Sequence, residues 1–288
     1  MITAEEREWF YRAVAASTSG EESDSKKIRE GVAIVRDAGG DEDAVRTALE
    51  DLIDRCEQRD NAGDMLSIGG ADALVGVGWG GRGKTRALAA RALAVATQNH
   101  RDAQTRAANA GAVQALLNVV RTDGDEECLG SALWALSCII RDCPEAAKAF
   151  EEAGGAEVVA KIISKPTGQV PNRVLAKALN LGKHAFVQSE RNMSDAIEHG
   201  AVPGAVTCVN SADINVQEAA ATLLLLIAQC VDFEKNPKAA DQFHNGAPTI
   251  DMVHYAMCLV RRADKVPIQK TLHQLLCMLG WLGGPGAE

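Results

Sequence analysis

Aromatic side chains are scarce in this chain of 288 residues: four Trp, two Tyr and five Phe. With hydrophobic residues at 47%, the interior has to come from Ala, Leu and Val, a composition suited to closely packed helices. Basic charge is also short. Thirty Lys and Arg stand against 39 Asp and Glu, a net charge of −9, which excludes a protein that lives on nucleic-acid phosphates. No apolar run is long enough to span a bilayer, so no membrane association is expected. The start, Met1-Ile2-Thr3-Ala4-Glu5-Glu6, lacks the cationic residues and apolar core of a secretory signal, so a cytoplasmic protein is expected. The eight cysteines form no C-x-x-C, and most sit in apolar helical runs, which reads as reduced thiols packed as small core residues. The six histidines are scattered without metal-ligand spacing; neither a metal nor a cofactor is expected.

What the chain does have is repetition. Counted from Gly111, apolar residues stand at offsets of five, six, eight and nine: Leu116, Leu117, Val119 and Val120. The same offsets from Gly69, Gly154 and Gly200 give Leu74, Val75, Val77 and Gly78; Val159, Ala160, Ile162 and Ile163; Ala205, Val206, Cys208 and Val209. The anchors are 42, 43 and 46 residues apart. That period with two or three helices per unit predicts an all-α, armadillo-like, right-handed α-solenoid. Each anchor Gly can take the left-handed conformation that ends one helix, and a small residue after it lets the next start at a steep angle.

In order, residues 3–16 read as a short helix with Thr3 as its cap and Glu6 three positions on. A polar break follows at 17–25, then a second helix over 26–37 with Ile28, Val32 and Val35 on one face. This places a helical extension at 1–40 and the armadillo domain at 41–288, with four to five repeats, a corner at Gly246 and a capping helix at 267–282. The units are read as closing with the helix after each corner Gly, and an aligned stack sets those last helices on one concave face. Offsets of three and seven then make that face polar through Asp72, Gln114, Asn118, Glu157, Lys161 and Thr207.

One string points elsewhere. Gly78-Trp79-Gly80-Gly81-Arg82-Gly83-Lys84-Thr85 matches the phosphate-loop pattern G-x-x-x-x-G-K-[ST] letter for letter. Such a loop needs a parallel sheet with crossover helices. Nothing else in the chain alternates that way, and the repeat register makes 71–78 helical. The string therefore reads as a glycine-rich loop between repeats.

Several stretches resemble a known family: A-L-E-D-L-I-D-R-C-E-Q-R-D-N-A-G-D at 48–64, Ala96-Thr97-Gln98-Asn99, S-A-L-W-A-L-S-C-I-I-R at 131–141, and the opening E-W-F-Y-R-A-V-A-A-S. They are similar to the armadillo-type nucleotide exchange factors of the 70-kDa heat-shock chaperones, the heat-shock-70-binding protein and Fes group, from about Glu5 to Arg262. Gly182, Lys183 and His184 depart from the family, which is usually more apolar there. The resemblance implies a non-enzymatic co-chaperone, acting as a monomer. Its curved body would grip one lobe of the chaperone's ATPase domain and force the other away, so that ADP escapes. It further implies partner-contacting positions at Ala62 and Lys177. It also implies an N-terminal segment, here carrying Trp9, Phe10 and Tyr11, that enters the chaperone's client-binding groove. The alternative is an armadillo adaptor for another partner. Such adaptors line the concave helices with Asn and Trp, whereas here only Asn118 sits in such a helix and Trp134 is expected in a different, buried one.

Overall fold

The computed structural model describes residues 3, 6–9, 24–37, 41–81, 83–166, 168–231, 238 and 242. Every regular element among them is helical: α1 (Asp24–Arg36), α2 (Glu42–Arg55), α3 (Arg59–Ser67), α4 (Gly70–Gly80), α5 (Gly83–Thr97), α6 (Arg101–Asn109), α7 (Ala112–Thr122), α8 (Glu126–Ile140), α9 (Pro144–Glu152), α10 (Gly155–Ile163), α11 (Asn172–Ala185), α12 (Glu190–Glu198), α13 (Ala201–Cys208) and α14 (Ile214–Cys230), with a 3₁₀ turn at Phe186–Gln188. No described helix is long and apolar enough to cross a membrane.

The corners follow from glycine chemistry. Gly69, Gly111, Gly154 and Gly200 hold φ of 84°, 79°, 66° and 84°. Each stands just before the first residue of the next helix, in a left-handed conformation that costs any side chain with a Cβ. The residue after the corner must also be small. A Cβ on Gly155 would lie 2.4 Å from the Phe150 ring, so no larger residue fits there without moving the ring.

The result is four three-helix units, α3–α5, α6–α8, α9–α11 and α12–α14, each a short helix, an after-corner helix and a long helix. Long helices form one ladder, α2 on α5 on α8 on α11 on α14, and after-corner helices another, α1 on α4 on α7 on α10 on α13. The chain is an all-α solenoid. Helix α1, which the sequence places in the extension, packs on α2, α3 and α4 through Ile28, Val32 and Val35, each at most 2% exposed. It belongs to the stacked body and, with α2, stands as an incomplete leading unit. Adjacent units are also stitched at the corners. The guanidinium at the end of α1, Arg36, donates to the Ile68 carbonyl at 2.9 Å, and Arg121 at the end of α7 does the same to Ala153.

The thiols bear on the core directly. Cys56 and Cys128 are buried, and burial pushes both up to about 12; Cys138 and Cys208 rise to about 11 for the same reason. Cys230 is exposed. A thiol reacts as its thiolate, so iodoacetamide at pH 8 should modify Cys230 at least about tenfold faster than any of these four. Peptide mapping by mass spectrometry checks this, and equal rates would mean that the helices bearing these thiols are not packed as described. Cys258 and Cys277 lie outside the described residues, as do the Gly246 corner and the helix expected at 267–282.

Candidate functional site

Asp72, Gln114, Asn118, Glu157, Lys161 and Thr207 do form a row, but on the after-corner helices α4, α7, α10 and α13. The long helices pack against one another far more closely than the after-corner helices do. The row expected on the concave face thus lies on a different ladder from the long helices. Three of its members are also occupied locally: Lys161 donates to Glu157, which has the His199 ring at 3.7 Å and Arg121 near it, and the Thr207 hydroxyl donates to the Pro203 carbonyl at 3.0 Å. The Lys161 hydrogen bond and charge hold the Glu157 carboxyl below its ordinary range.

The stretch 48–64 is the joint between α2 and α3. Arg55 clamps Asp51 with two hydrogen bonds of 2.7 and 2.9 Å and pairs with Asp24 of α1; the Asp51 hydrogen bonds raise its pKa. Asn61 donates to the Arg55 carbonyl at 3.1 Å, covering an orphan acceptor at the end of α2. Ala62 is 2% exposed. It is a packing residue of α3 whose small side chain also stands on the wall of a cleft shared with Arg91 and Trp134.

The phosphate-loop string is split between two helices, with Gly70–Gly80 ending before Gly81 and the next helix starting at Gly83. The Lys84 ammonium pairs with Glu50 at 3.0 Å, and the Thr85 hydroxyl donates to Glu42 at 3.0 Å. Both groups that would serve a nucleotide are turned onto α2. Lys84 is more than half exposed, so Lys84→Ala should change stability by less than about 1 kcal/mol and leave partner binding within about twofold. Loss of binding in a folded variant would return the motif to consideration.

On the long-helix face, Arg91, Trp134 and Lys177 stand 43 residues apart in sequence and at one register position of α5, α8 and α11. Trp134 is not in the core as expected; it is only partly covered. The Lys177 ammonium lies 5.8 Å from the Trp134 ring centroid and donates to the Gly130 carbonyl at 2.9 Å, a cation–π contact reinforced by a hydrogen bond. Burial lowers the Lys177 pKa, and the like charges of Arg173 and Arg91 lower it further. A cleft of 470 Å³ opens beside this row, lined among others by Arg59, Arg91, His100, Trp134 and the acid Glu57. Seven residues on, about two helical turns, Arg141 and His184 repeat the 43-residue spacing, and burial with the charges of Arg141 and Lys183 lowers the His184 pKa. Sequence reasoning reached Lys177 through resemblance and missed Arg91. The signal was present as one 43-residue spacing between a cation, an aromatic and a cation.

At the N-terminus, Thr3 and Glu6 form a reciprocal capping box, with Thr3 N donating to Glu6 at 2.8 Å and Glu6 N to the Thr3 hydroxyl at 3.2 Å. Trp9 is 72% exposed. Phe10 and Tyr11 lie outside the described residues.

Residues 61–181, from α3 into α11, match the family model described as SIL1/FES1/HPBP1 C-terminal domain. Over that segment, which is less than half of the chain, the sequence is similar to this family. Among relatives, Hsp70-binding protein 1 of Rattus norvegicus is 27% identical over 152 residues, covering 49% of this chain and 43% of that protein. The Homo sapiens Hsp70-binding protein 1 is 26% identical over the same length. Nucleotide exchange factor SIL1 of Rattus norvegicus is 31% identical over 127 residues, 43% of this chain and 26% of that protein. The chain thus matches less than half the length of these relatives. A designed armadillo repeat protein solved with the peptide (KR)4 superposes with a TM-score of 0.69 at 18% identity, covering 87% of this chain and 98% of that one. An engineered protein superposes at 0.72 with 20% identity, covering 90% and 99%. These two show the fold.

Proposed function

We propose that the chain is a nucleotide exchange factor for a 70-kDa heat-shock chaperone, acting as a monomer in the cytoplasm and binding the chaperone's ATPase domain through its long-helix face. The observation that carries this reading is the family segment 61–181, which contains Arg91, Trp134 and Lys177. The stacked fold supports it physically. A solenoid whose interior is Ala, Leu, Val and Ile side chains at close to zero exposure is stiff enough to impose a shape on its partner. If it holds the ATPase domain in a form that grips ADP poorly, factor and ADP must weaken each other's binding by the same ratio. A coupling of about 3 kcal/mol corresponds to about 150-fold. No covalent step is required of the factor, so it is not an enzyme in this reading.

The test is release of a fluorescent ADP analogue from a 70-kDa chaperone after mixing with excess unlabelled ATP. The full chain should speed release at least about tenfold, and excess ADP should weaken its equilibrium binding to the chaperone by the same factor by which the chain lowers the chaperone's affinity for ADP. Binding without faster release would instead favour an adaptor, and neither effect would sink the proposal. Deleting residues 1–16 should leave ADP release intact while slowing release of a bound client peptide. Equal loss of both would assign Trp9, Phe10 and Tyr11 to the body's stability instead of to a groove-filling role.

A further inference from the structure

The protein is acidic overall, yet its long-helix face gathers cations. Arg91 and Arg173 flank Lys177 closely enough to depress its pKa, and Arg59 and His100 share the cleft with Arg91 and Trp134. Several cations elsewhere are matched by an acid: Lys84 by Glu50, Arg55 by Asp51 and Asp24, Arg86 by Asp123, Arg101 by Glu145. Among the described residues Arg59, Arg91 and Arg173 have no such counter-ion, and of the residues lining the cleft only Glu57 is an acid. Like charges held side by side raise the energy of the free protein and are relieved when an anion arrives.

The dimensions suit an extended chain. Packed helices lie about 8–10 Å apart, so the row from α5 across α8 to α11 spans roughly 20 Å. An extended strand rises about 3.3 Å per residue, which makes the row about six residues long, with about three residues per helix. Guanidinium groups take carboxylates in bidentate geometry. The indole between them offers a flat apolar surface with one donor.

We propose that the Arg91–Trp134–Lys177 row is a docking groove for an extended acidic segment of the partner protein, its carboxylates on Arg91, Arg173 and Arg59 and its intervening residues on the Trp134 ring. This rests on the reading above for who the partner is, but not for what the groove accepts.

Two measurements keep these questions apart. The groove is tested with fluorescein-labelled octaglutamate, titrated against the full chain by anisotropy at about 0.01 M and about 0.15 M salt, where the Debye length falls from about 30 to about 8 Å. Wild type should bind it, more weakly at the higher salt, and should bind octaserine at least about tenfold less well. Arg91→Glu with Arg173→Glu should reduce octaglutamate binding at least about tenfold, whereas the Lys pair at the same positions should keep most of it. Both are solvent-exposed sites, and unchanged melting curves confirm that the variants fold. Trp134→Ala tests the platform and should cost a further several-fold. Equal octaglutamate binding by wild type and the double Glu variant, including none by either, overturns the groove. Faster ADP release by wild type, lost in the double Glu variant, assigns the segment to the chaperone. Octaglutamate binding without any effect of wild type on ADP release leaves the groove standing and removes the exchange-factor reading.

Discussion

Ala62→Arg is expected to unfold the leading end of the solenoid. Ala62 is 2% exposed on α3, in a joint where Asn61 already ties α3 to α2 and to Asp24 of α1. The guanidinium would be driven into packed side chains or would push α3 off its neighbours. Overpacking alone costs about 1–3 kcal/mol, and an unpaired buried charge adds more, so about 3 kcal/mol or more is expected. Because units contact mainly their neighbours, the loss should be local. Calorimetry should show a new early transition for α1–α3, ahead of a main transition close to that of wild type. A single unshifted melt would mean the α2–α3 joint is looser than described. Weakened chaperone binding by this variant would then report a damaged body together with a filled cleft, since Ala62 lines the cleft that holds Arg91 and Trp134.

Phe150→Ala should be about as damaging, for the opposite reason. Phe150 is fully buried on α9, with its ring laid over the corner so closely that Gly155 has no room for a Cβ. Removing the ring leaves a cavity and should cost about 3–5 kcal/mol. Gly155→Ala alone should also destabilise, since the ring would have to move. The pair carries the sharper expectation. With the ring gone, the added methyl has space, so Phe150→Ala with Gly155→Ala should cost less than the sum of the single variants by about 0.5–3 kcal/mol. Simple additivity in urea melts would show that ring and corner are not packed as one unit.

Corners and core were legible for reasons that are local. A glycine at a left-handed position followed by a small residue leaves the same trace wherever it occurs, and Gly69, Gly111, Gly154 and Gly200 all adopt the conformation their spacing implied. Ile28, Val32 and Val35 share a helix face by simple periodicity and are all buried. The phase of the repeat was not legible. A period of about 43 residues is unchanged by sliding the frame along the chain, so nothing local says whether a unit closes on the after-corner helix or on the long one. Only packing decides, and it placed Glu157 and Lys161 on one ladder and Arg91 and Lys177 on another. The same ambiguity misplaced Trp134. On a long-helix frame its position beside a cation from each neighbouring unit follows at once.

The left-handed corners also set how the molecule yields. Each joins two short rigid rods at a hinge whose angle is held by packing, as at Phe150 and Gly155, and by an arginine strut such as Arg36 on Ile68. Four corners in series make a leaf spring. A load across the long-helix face is divided into a small rotation at every joint, so no single contact has to break for the ends to spread. The deflection grows with the number of units and the restoring force falls with it, which makes repeat number the variable that tunes how hard such a clamp can pull.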